Sequence, residues 1–200
     1  MRLLDYFSLD PSNCIDMTKY KKIAISGLHT SGKSCLAKKI SHLTFIPYLP
    51  EVAREIIEFT SNFDWRECKD INIIKDFEKA IFHTHLCLVK TNDVFVSDRS
   101  LVDPLVYVMV QNKKFNNALK SLVEEFTSVI ENIGVLYDVI LLTKAENSYA
   151  DLSKFTELDF AVKKLFESRE IIELLLRLTK SLFFIEKGRI LIFNEGVIVV

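Results

Sequence analysis

Apolar residues come in two spacings along this chain. Short runs in which nearly every position is apolar alternate with longer stretches in which apolar positions recur every three or four residues. The first short run, Lys22-Ile23-Ala24-Ile25-Ser26, reads as a buried strand. A glycine-bearing loop follows, and a helix is predicted over 33–42. Residues 43–49, with Phe45, Ile46 and Tyr48, read as a second strand stopped by Pro50. Helical periodicity covers 51–60 and then 70–90, where Ile73, Ile74, Phe77, Ile81, Leu86 and Leu88 form a stripe. A third strand is expected at 93–97, helices at 101–111 and 116–131, and a fourth strand at 137–142. Residues 157–184 read as mostly helical, and 189–193 as the fifth strand.

Strands separated by long helical patterns imply βαβ units, hence a parallel sheet with helices on both faces. Strands that are nearly all apolar suit a sheet covered on both sides. Residues 1–20 show no clear period and carry a turn at Asp10-Pro11-Ser12-Asn13. They are read as an N-terminal arm ahead of one domain over 21–200, with an ordered N-terminal turn or a start at Met17 as other readings.

Composition narrows the class. A chain of 200 residues, 49% hydrophobic with 15 Phe, carries enough apolar material for a substantial core. With 26% charged residues and a mean hydropathy of +0.18, disorder by composition is excluded. Basic and acidic residues number 26 and 27, so no global field attracts nucleic acid or anionic lipid. The basic runs at 19–22 and 111–114 are read as solvated surface. Cys14, Cys35, Cys68 and Cys87 lack metal-ligand spacing and are expected as buried thiols in a reducing cytoplasm. No signal peptide is recognisable, and the apolar run at 105–110 is too short to span a bilayer, so a soluble protein is expected.

One motif carries specific chemistry. Gly27-Leu28-His29-Thr30-Ser31-Gly32-Lys33-Ser34 satisfies Gly-x-x-x-x-Gly-Lys-Ser/Thr between a predicted strand and a predicted helix. Its glycines let the loop curl so that backbone N–H groups face phosphate oxygens, and the helix offers them its positive N-terminus. Gly27, His29, Thr30, Ser31, Gly32, Lys33, Ser34 and Cys35 are the nucleotide-binding candidates. Lys33 would reach the outer phosphates, and the Ser34 hydroxyl would ligate Mg²⁺.

Two further features fall at the same sheet edge, where open α/β sheets bind ligands. Asp98, after strand three, suits a Mg²⁺ ligand beside Ser34, and Arg99 suits an anionic group of substrate or transition state. The simpler reading has Asp98 capping a helix and Arg99 paired on the surface. Glu51, after strand two, could take a proton from an acceptor hydroxyl, and Arg54 lies one helical turn away. A solvated helix start is the alternative there. Trp65 would stack on a base or anchor its loop.

These motifs occur in a recognisable order: the phosphate loop, then Glu51-Val52-Ala53-Arg54, then Asp98-Arg99-Ser100-Leu101-Val102-Asp103-Pro104-Leu105-Val106-Tyr107. In this the chain resembles the P-loop nucleoside and nucleotide kinases. It looks most like the branch of ribosylnicotinamide kinase, with thymidylate and deoxynucleoside kinases as wider relatives. The resemblance spans about residues 21–193. It implies a three-layer P-loop fold with a five-stranded parallel sheet of order 2-3-1-4-5. It also implies that Lys33 and Ser34 bind ATP and Mg²⁺, that Asp98 joins the metal site or acts as base, and that Glu51, Arg54 and Arg99 line the acceptor site. One departure is that 145–158 contains no arginine to clamp phosphates; Lys144 and Lys154 are near, and Arg169 lies further along.

The expected function is ATP- and Mg²⁺-dependent phosphoryl transfer to a nucleoside, nucleotide or ribosylnicotinamide-like acceptor. The other classes are a nucleotide switch acting on a protein partner and a nucleic-acid module. For a GTPase, Leu142-Thr143-Lys144-Ala145-Glu146 is a weak echo of Asn-Lys-x-Asp, and Asp98-Arg99-Ser100-Leu101 lacks the glycine of Asp-x-x-Gly. His83 and His85 are read as polar helix-face residues, not metal ligands. The run 171–176 is read as core, with a homodimer contact as the other reading.

Overall fold

The computed structural model describes residues 16–28, 31–60, 68–143, 157–186, 189–194 and 197–199. The elements in chain order are β1 (Lys22–Gly27), α1 (Lys33–Thr44), β2 (Tyr48–Leu49), α2 (Val52–Phe59), α3 (Ile71–Thr91), β3 (Phe95–Asp98), α4 (Val102–Lys114) and α5 (Lys120–Ile133). After these come β4 (Val139–Thr143), α6 (Glu157–Phe166), α7 (Arg169–Leu178), β5 (Leu182–Glu186), β6 (Arg189–Asn194) and β7 (Val197–Val199). The strands form one sheet in the order β2-β3-β1-β4-β5-β6-β7. The first five in that order pair in parallel, the 2-3-1-4-5 arrangement that the resemblance implied.

The end of the chain differs from its sequence reading. The fifth parallel strand is Leu182–Glu186, which overlaps the end of the stretch expected to be helical, and 189–193 belongs to β6, which runs antiparallel to β5. The reason is chain length. Only two residues separate β5 from β6, whereas a parallel return needs a crossover of a dozen or more. The helical stretch is also cut at Ser168, whose side chain accepts from the Ile171 N–H and caps α7. Periodicity hides this switch, because Leu182-Phe183-Phe184-Ile185 continues an apolar pattern that either element could bury.

The second strand is likewise shorter than expected. α1 continues to Thr44, and the chain turns at Phe45, which has left-handed φ of 57°. Only Tyr48 and Leu49 pair with β3.

Alternate residues of the central strands go to opposite faces. Ile23, Ile25, Val96, Val139 and Leu141 pack with Leu36, Ala37 and Ile40 of α1 and with Met17. Ala24, Phe95, Ile140 and Leu142 pack into the larger cluster formed with α3–α7. That cluster includes Ile171, Leu174 and Leu175, the core reading of that run. Met17 sits within the expected arm, the rest of which lies mostly outside the described residues. Among the described residues, no helix is long and apolar enough to cross a membrane.

Four side chains sit otherwise than expected. Cys35 and Cys87 are exposed and Cys68 is half-buried, because α1 turns Leu36, Ala37 and Ile40 inward and leaves Cys35 outside. Cys14 lies outside the described residues. His85 is buried and its Nε2 lies 3.3 Å from the Tyr137 hydroxyl. Burial pushes its imidazole down to about 4, so the ring is neutral. His83 stays on the surface, 3.3 Å from Glu125.

A buried acid also stands out on α3. Glu78 accepts from the Gln111 amide at 2.9 Å, and the Gln111 Oε1 has no partner among the described residues. Burial pushes the Glu78 carboxyl up to about 8. The folded state therefore binds this proton more tightly than the unfolded chain. Its stabilising effect is complete below the ordinary value of 4.5 and is lost as pH rises through about 8. Glu78→Gln should remove that decline, since two facing amides can satisfy the Gln111 Oε1 without a proton. Melting temperatures of both proteins from pH 5 to pH 9 check this: wild type should fall relative to the variant towards alkaline pH, and parallel curves would refute it.

Candidate functional site

The site is built at the carboxyl edge of the sheet, beginning where β1 passes into the phosphate loop. Gly27 has φ 124°, and a Cβ there would lie 2.3 Å from the Thr143 carbonyl oxygen and 2.7 Å from its Oγ1. Only glycine lets β1 and β4 come this close. The Thr143 hydroxyl donates to the Ser26 carbonyl at 3.0 Å, which leaves the Ser31 hydroxyl, 2.6 Å away, to donate to it. The loop is thereby tied to the end of β4. Gly32, at φ 81°, opens α1 in the left-handed region and has no side chain to cap it. The first-turn N–H groups of α1 can then serve an anion.

Lys33 is buried, with its ammonium donating to the Leu28 carbonyl and lying 3.5 Å from the Ser31 hydroxyl. Burial pushes its amine down to about 7, with Arg99 adding repulsion and Asp103, Asp98 and Glu51 opposing the shift. A phosphate in the loop would favour its charged form.

β3 places Asp98 beside Ile25 of β1, and the Arg99 N–H bonds the Ile25 carbonyl at 3.0 Å. Asp98 is 1% exposed; one oxygen accepts from the Tyr48 hydroxyl at 3.1 Å, and the other has no partner among the described residues. A buried carboxylate oxygen left without a donor fits a cation ligand. With the Ser34 hydroxyl on the first turn of α1, the donor set is the oxygen-only kind that suits Mg²⁺. Cysteine, histidine and acidic side chains form no group of three with metal-binding spacing among the described residues.

Arg99 holds the site together. Its backbone has φ 116°, and its guanidinium donates to Glu51 Oε1 from Nε at 3.0 Å, with Nη2 2.7 Å from the same oxygen. Nη1 donates to the Gly27 carbonyl and to Asp103 Oδ1, both at 3.2 Å. The Tyr107 ring lies 5.6 Å from its Cζ. Burial alone would raise the Glu51 carboxyl, but the charge and hydrogen bonds of Arg99, with Lys33 and Arg54, outweigh it and hold the group below the usual carboxylate value. Glu51 is therefore ionised at neutral pH. Arg54 bonds its second oxygen at 3.2 Å.

Lys33, Glu51, Asp98 and Arg99 thus meet in one place, with Arg54 at the rim. The guanidinium of Arg99 is bonded to Glu51, Asp103 and the Gly27 carbonyl and is buried, where the sequence reading offered a contact to an anionic group of substrate or transition state, or a pair on the surface. Cys35 points away on the outer face of α1. His29, Thr30, Trp65, Lys144 and Lys154 lie outside the described residues. Arg169 is exposed and paired along its own helix with Glu173 at 2.6 Å. Sequence reasoning missed Tyr48, Thr143 and the role of Asp103. The available signal was their closeness in sequence at the end of a strand, which keeps Asp103 on the first turn of α4 within reach of the Arg99 turn. An apolar cavity of about 360 Å³ lies between α2 and α3, lined by Val52, Ile56, Phe59 and Leu88 among others. None of Lys33, Glu51, Asp98 and Arg99 lines it.

The parallel 2-3-1-4-5 sheet with its phosphate loop is the fold of the P-loop nucleoside and nucleotide kinases. Residues 22–160 match the family model described as AAA domain, so the chain belongs to that family. No curated protein sequence matches it significantly. Among solved structures, deoxyadenosine kinase from M. mycoides, with products dCMP and a flexible dCDP bound, superposes at TM-score 0.60 with 17% identity. That match covers 83% of this chain and 90% of the kinase. NadR in complex with NR superposes at TM-score 0.55 with 16% identity, covering 92% of this chain and 47% of that one. This chain therefore corresponds to about half of NadR.

The two loop glycines differ in what they tolerate. Gly27→Ala forces a Cβ into the Thr143 carbonyl at positive φ, and should cost on the order of 3 kcal/mol or more. Gly32→Ala meets nothing within 4 Å. Strain at positive φ alone should cost it about 1–2 kcal/mol. Denaturant unfolding of the two variants should preserve this order, and equal losses would contradict the close approach.

Proposed function

We propose that the protein is an ATP- and Mg²⁺-dependent kinase acting on a small acceptor of the nucleoside, nucleotide or ribosylnicotinamide kind. One observation carries the reading: a buried bridge runs from the Gly27 carbonyl of the phosphate loop through Arg99 to the ionised Glu51. It puts a carboxylate beside an anion cradle, at the edge where parallel sheets bind ligands. The names of the two superposed proteins, a deoxyadenosine kinase and NadR with NR bound, are consistent with a nucleoside-like acceptor.

Phosphoryl transfer through a loose transition state leaves the protein little covalent work. Its task is to hold the reacting oxygens in line and to offset charge. The loop N–H groups and Lys33 would hold the donor phosphates. Glu51 would accept a hydrogen bond from the acceptor hydroxyl, orient it, and take its proton as transfer completes. A carboxylate in this position favours a hydroxyl over a phosphate dianion. Arg54 would line the acceptor side. Ser34 and Asp98 would hold Mg²⁺, which supplies positive charge to the phosphate oxygens when bound.

Thermal unfolding with Mg²⁺ and ATP, ADP or GTP tests the nucleotide half of this reading. At a hundred times Kd, binding stabilises by about 2.7 kcal/mol, or roughly 5–10 °C for a domain of this size. ATP should give that shift. Lys33→Ala should fold as wild type, lose the shift, and lose turnover by at least about a hundredfold. A shift with GTP alone would favour the switch reading, and an unaltered Lys33→Ala would refute the role of the loop.

A further inference from the structure

Asp103 lies outside the phosphate-loop motif and is 1% exposed. Five donors converge on its carboxylate. Oδ2 accepts from the Ser26 hydroxyl at 2.5 Å, the Ser100 hydroxyl at 2.8 Å and the Ser100 N–H at 2.9 Å. Oδ1 accepts from the Gly27 N–H at 3.3 Å and from Arg99 Nη1 at 3.2 Å. Ser26 and Gly27 are the last residues of β1, and Ser100 and Arg99 form the turn after β3. One side chain thus clasps the end of β1, which leads into the phosphate loop, to the turn after β3, and it holds the guanidinium that holds Glu51.

The chemistry favours a charged group here. Arg99 keeps its charge while buried, and a buried cation needs compensating anions. Glu51 alone would leave the guanidinium free to swing with the acceptor-side carboxylate. A second carboxylate, fixed by three donors of its own on Oδ2, pins the opposite end of the fork. The planar guanidinium then has one orientation, and Glu51 is aimed from it.

The geometry points to Asp103 as a positioning residue that sets Glu51 relative to the phosphate loop, acting through Arg99 and touching neither substrate. This inference rests on the kinase reading above. Asparagine has nearly the same shape but presents an NH₂ either where the Gly27 N–H and the guanidinium already donate or where the Ser100 N–H and two hydroxyls do, and it removes the charge.

The test compares wild type, Asp103→Asn, Glu51→Gln and the double variant, with kcat, the KM for ATP and for the acceptor, and the melting temperature measured for each. Asp103→Asn should lower kcat by ten- to a hundredfold while the KM for ATP stays within about threefold. If Asp103 works through Glu51, the double variant should be no slower than about twofold beyond the slower single variant. Multiplicative losses in the double variant would overturn the inference, as would Asp103→Asn with unchanged kcat. Equal loss of ATP binding and turnover would also overturn it, since that marks a merely structural group. If Asp103→Asn does not fold, Ser26→Ala, which removes one anchoring donor, takes its place. It should lose three- to tenfold in kcat at unchanged ATP affinity, again without adding to Glu51→Gln, and additivity would overturn the inference. Wild type that transfers no phosphoryl group to any acceptor would refute the kinase reading itself, an outcome distinct from all of these.

Discussion

The cleft depends on one buried guanidinium held between two carboxylates. Arg99 reaches Glu51 after β2, Asp103 on α4 and the Gly27 carbonyl at the end of β1. Those groups come from three separate stretches of chain, so the ion pairs fix how the loops at the sheet edge sit relative to one another. Removing one partner of a buried pair of this kind costs on the order of 3–5 kcal/mol, because the other charge is left without compensation. Such a network is weak evidence for extra stability and strong evidence for a defined geometry.

The sheet supplies the frame on which that network rests. Parallel strands bring the ends of β1, β3 and β4 to one edge, and short apolar strands covered on both faces keep the edge rigid. The close pass of Gly27 under Thr143 brings the loop tight against β4. Tyr48 from the short β2 then holds one oxygen of Asp98, and the other oxygen remains for a cation. Each of these contacts joins residues far apart in sequence, so they depend on the whole fold.

The legibility of the sequence follows from what each signal encodes. The phosphate loop was readable because its chemistry needs glycines, lysine and serine at fixed spacing on a local strand-loop-helix unit. Glu51, Asp98 and Arg99 were readable as a set because each stands at or just past the carboxyl end of a strand in the same sheet. The partner of Arg99 was not, since a guanidinium looks the same in sequence whether it faces a phosphate or a buried aspartate. Likewise, Leu182-Phe183-Phe184-Ile185 suits helix or strand alike, and only the short link to β6 settles the matter. Glu78 and His85 hid within a helix whose predicted apolar stripe shares only Ile74 and Ile81 with the buried face. The exposed thiols of Cys35 and Cys87 show the same limit: cysteine suits either face of a helix, and packing of the neighbours decides.

The most direct test of the account is phosphorus NMR of the protein incubated with Mg²⁺, ATP and a panel of nucleosides and ribosylnicotinamide. The account predicts a new phosphate monoester resonance growing in step with ADP for at least one acceptor, and its near-absence with Glu51→Gln. Release of inorganic phosphate with no ester, whatever acceptor is present, would contradict it.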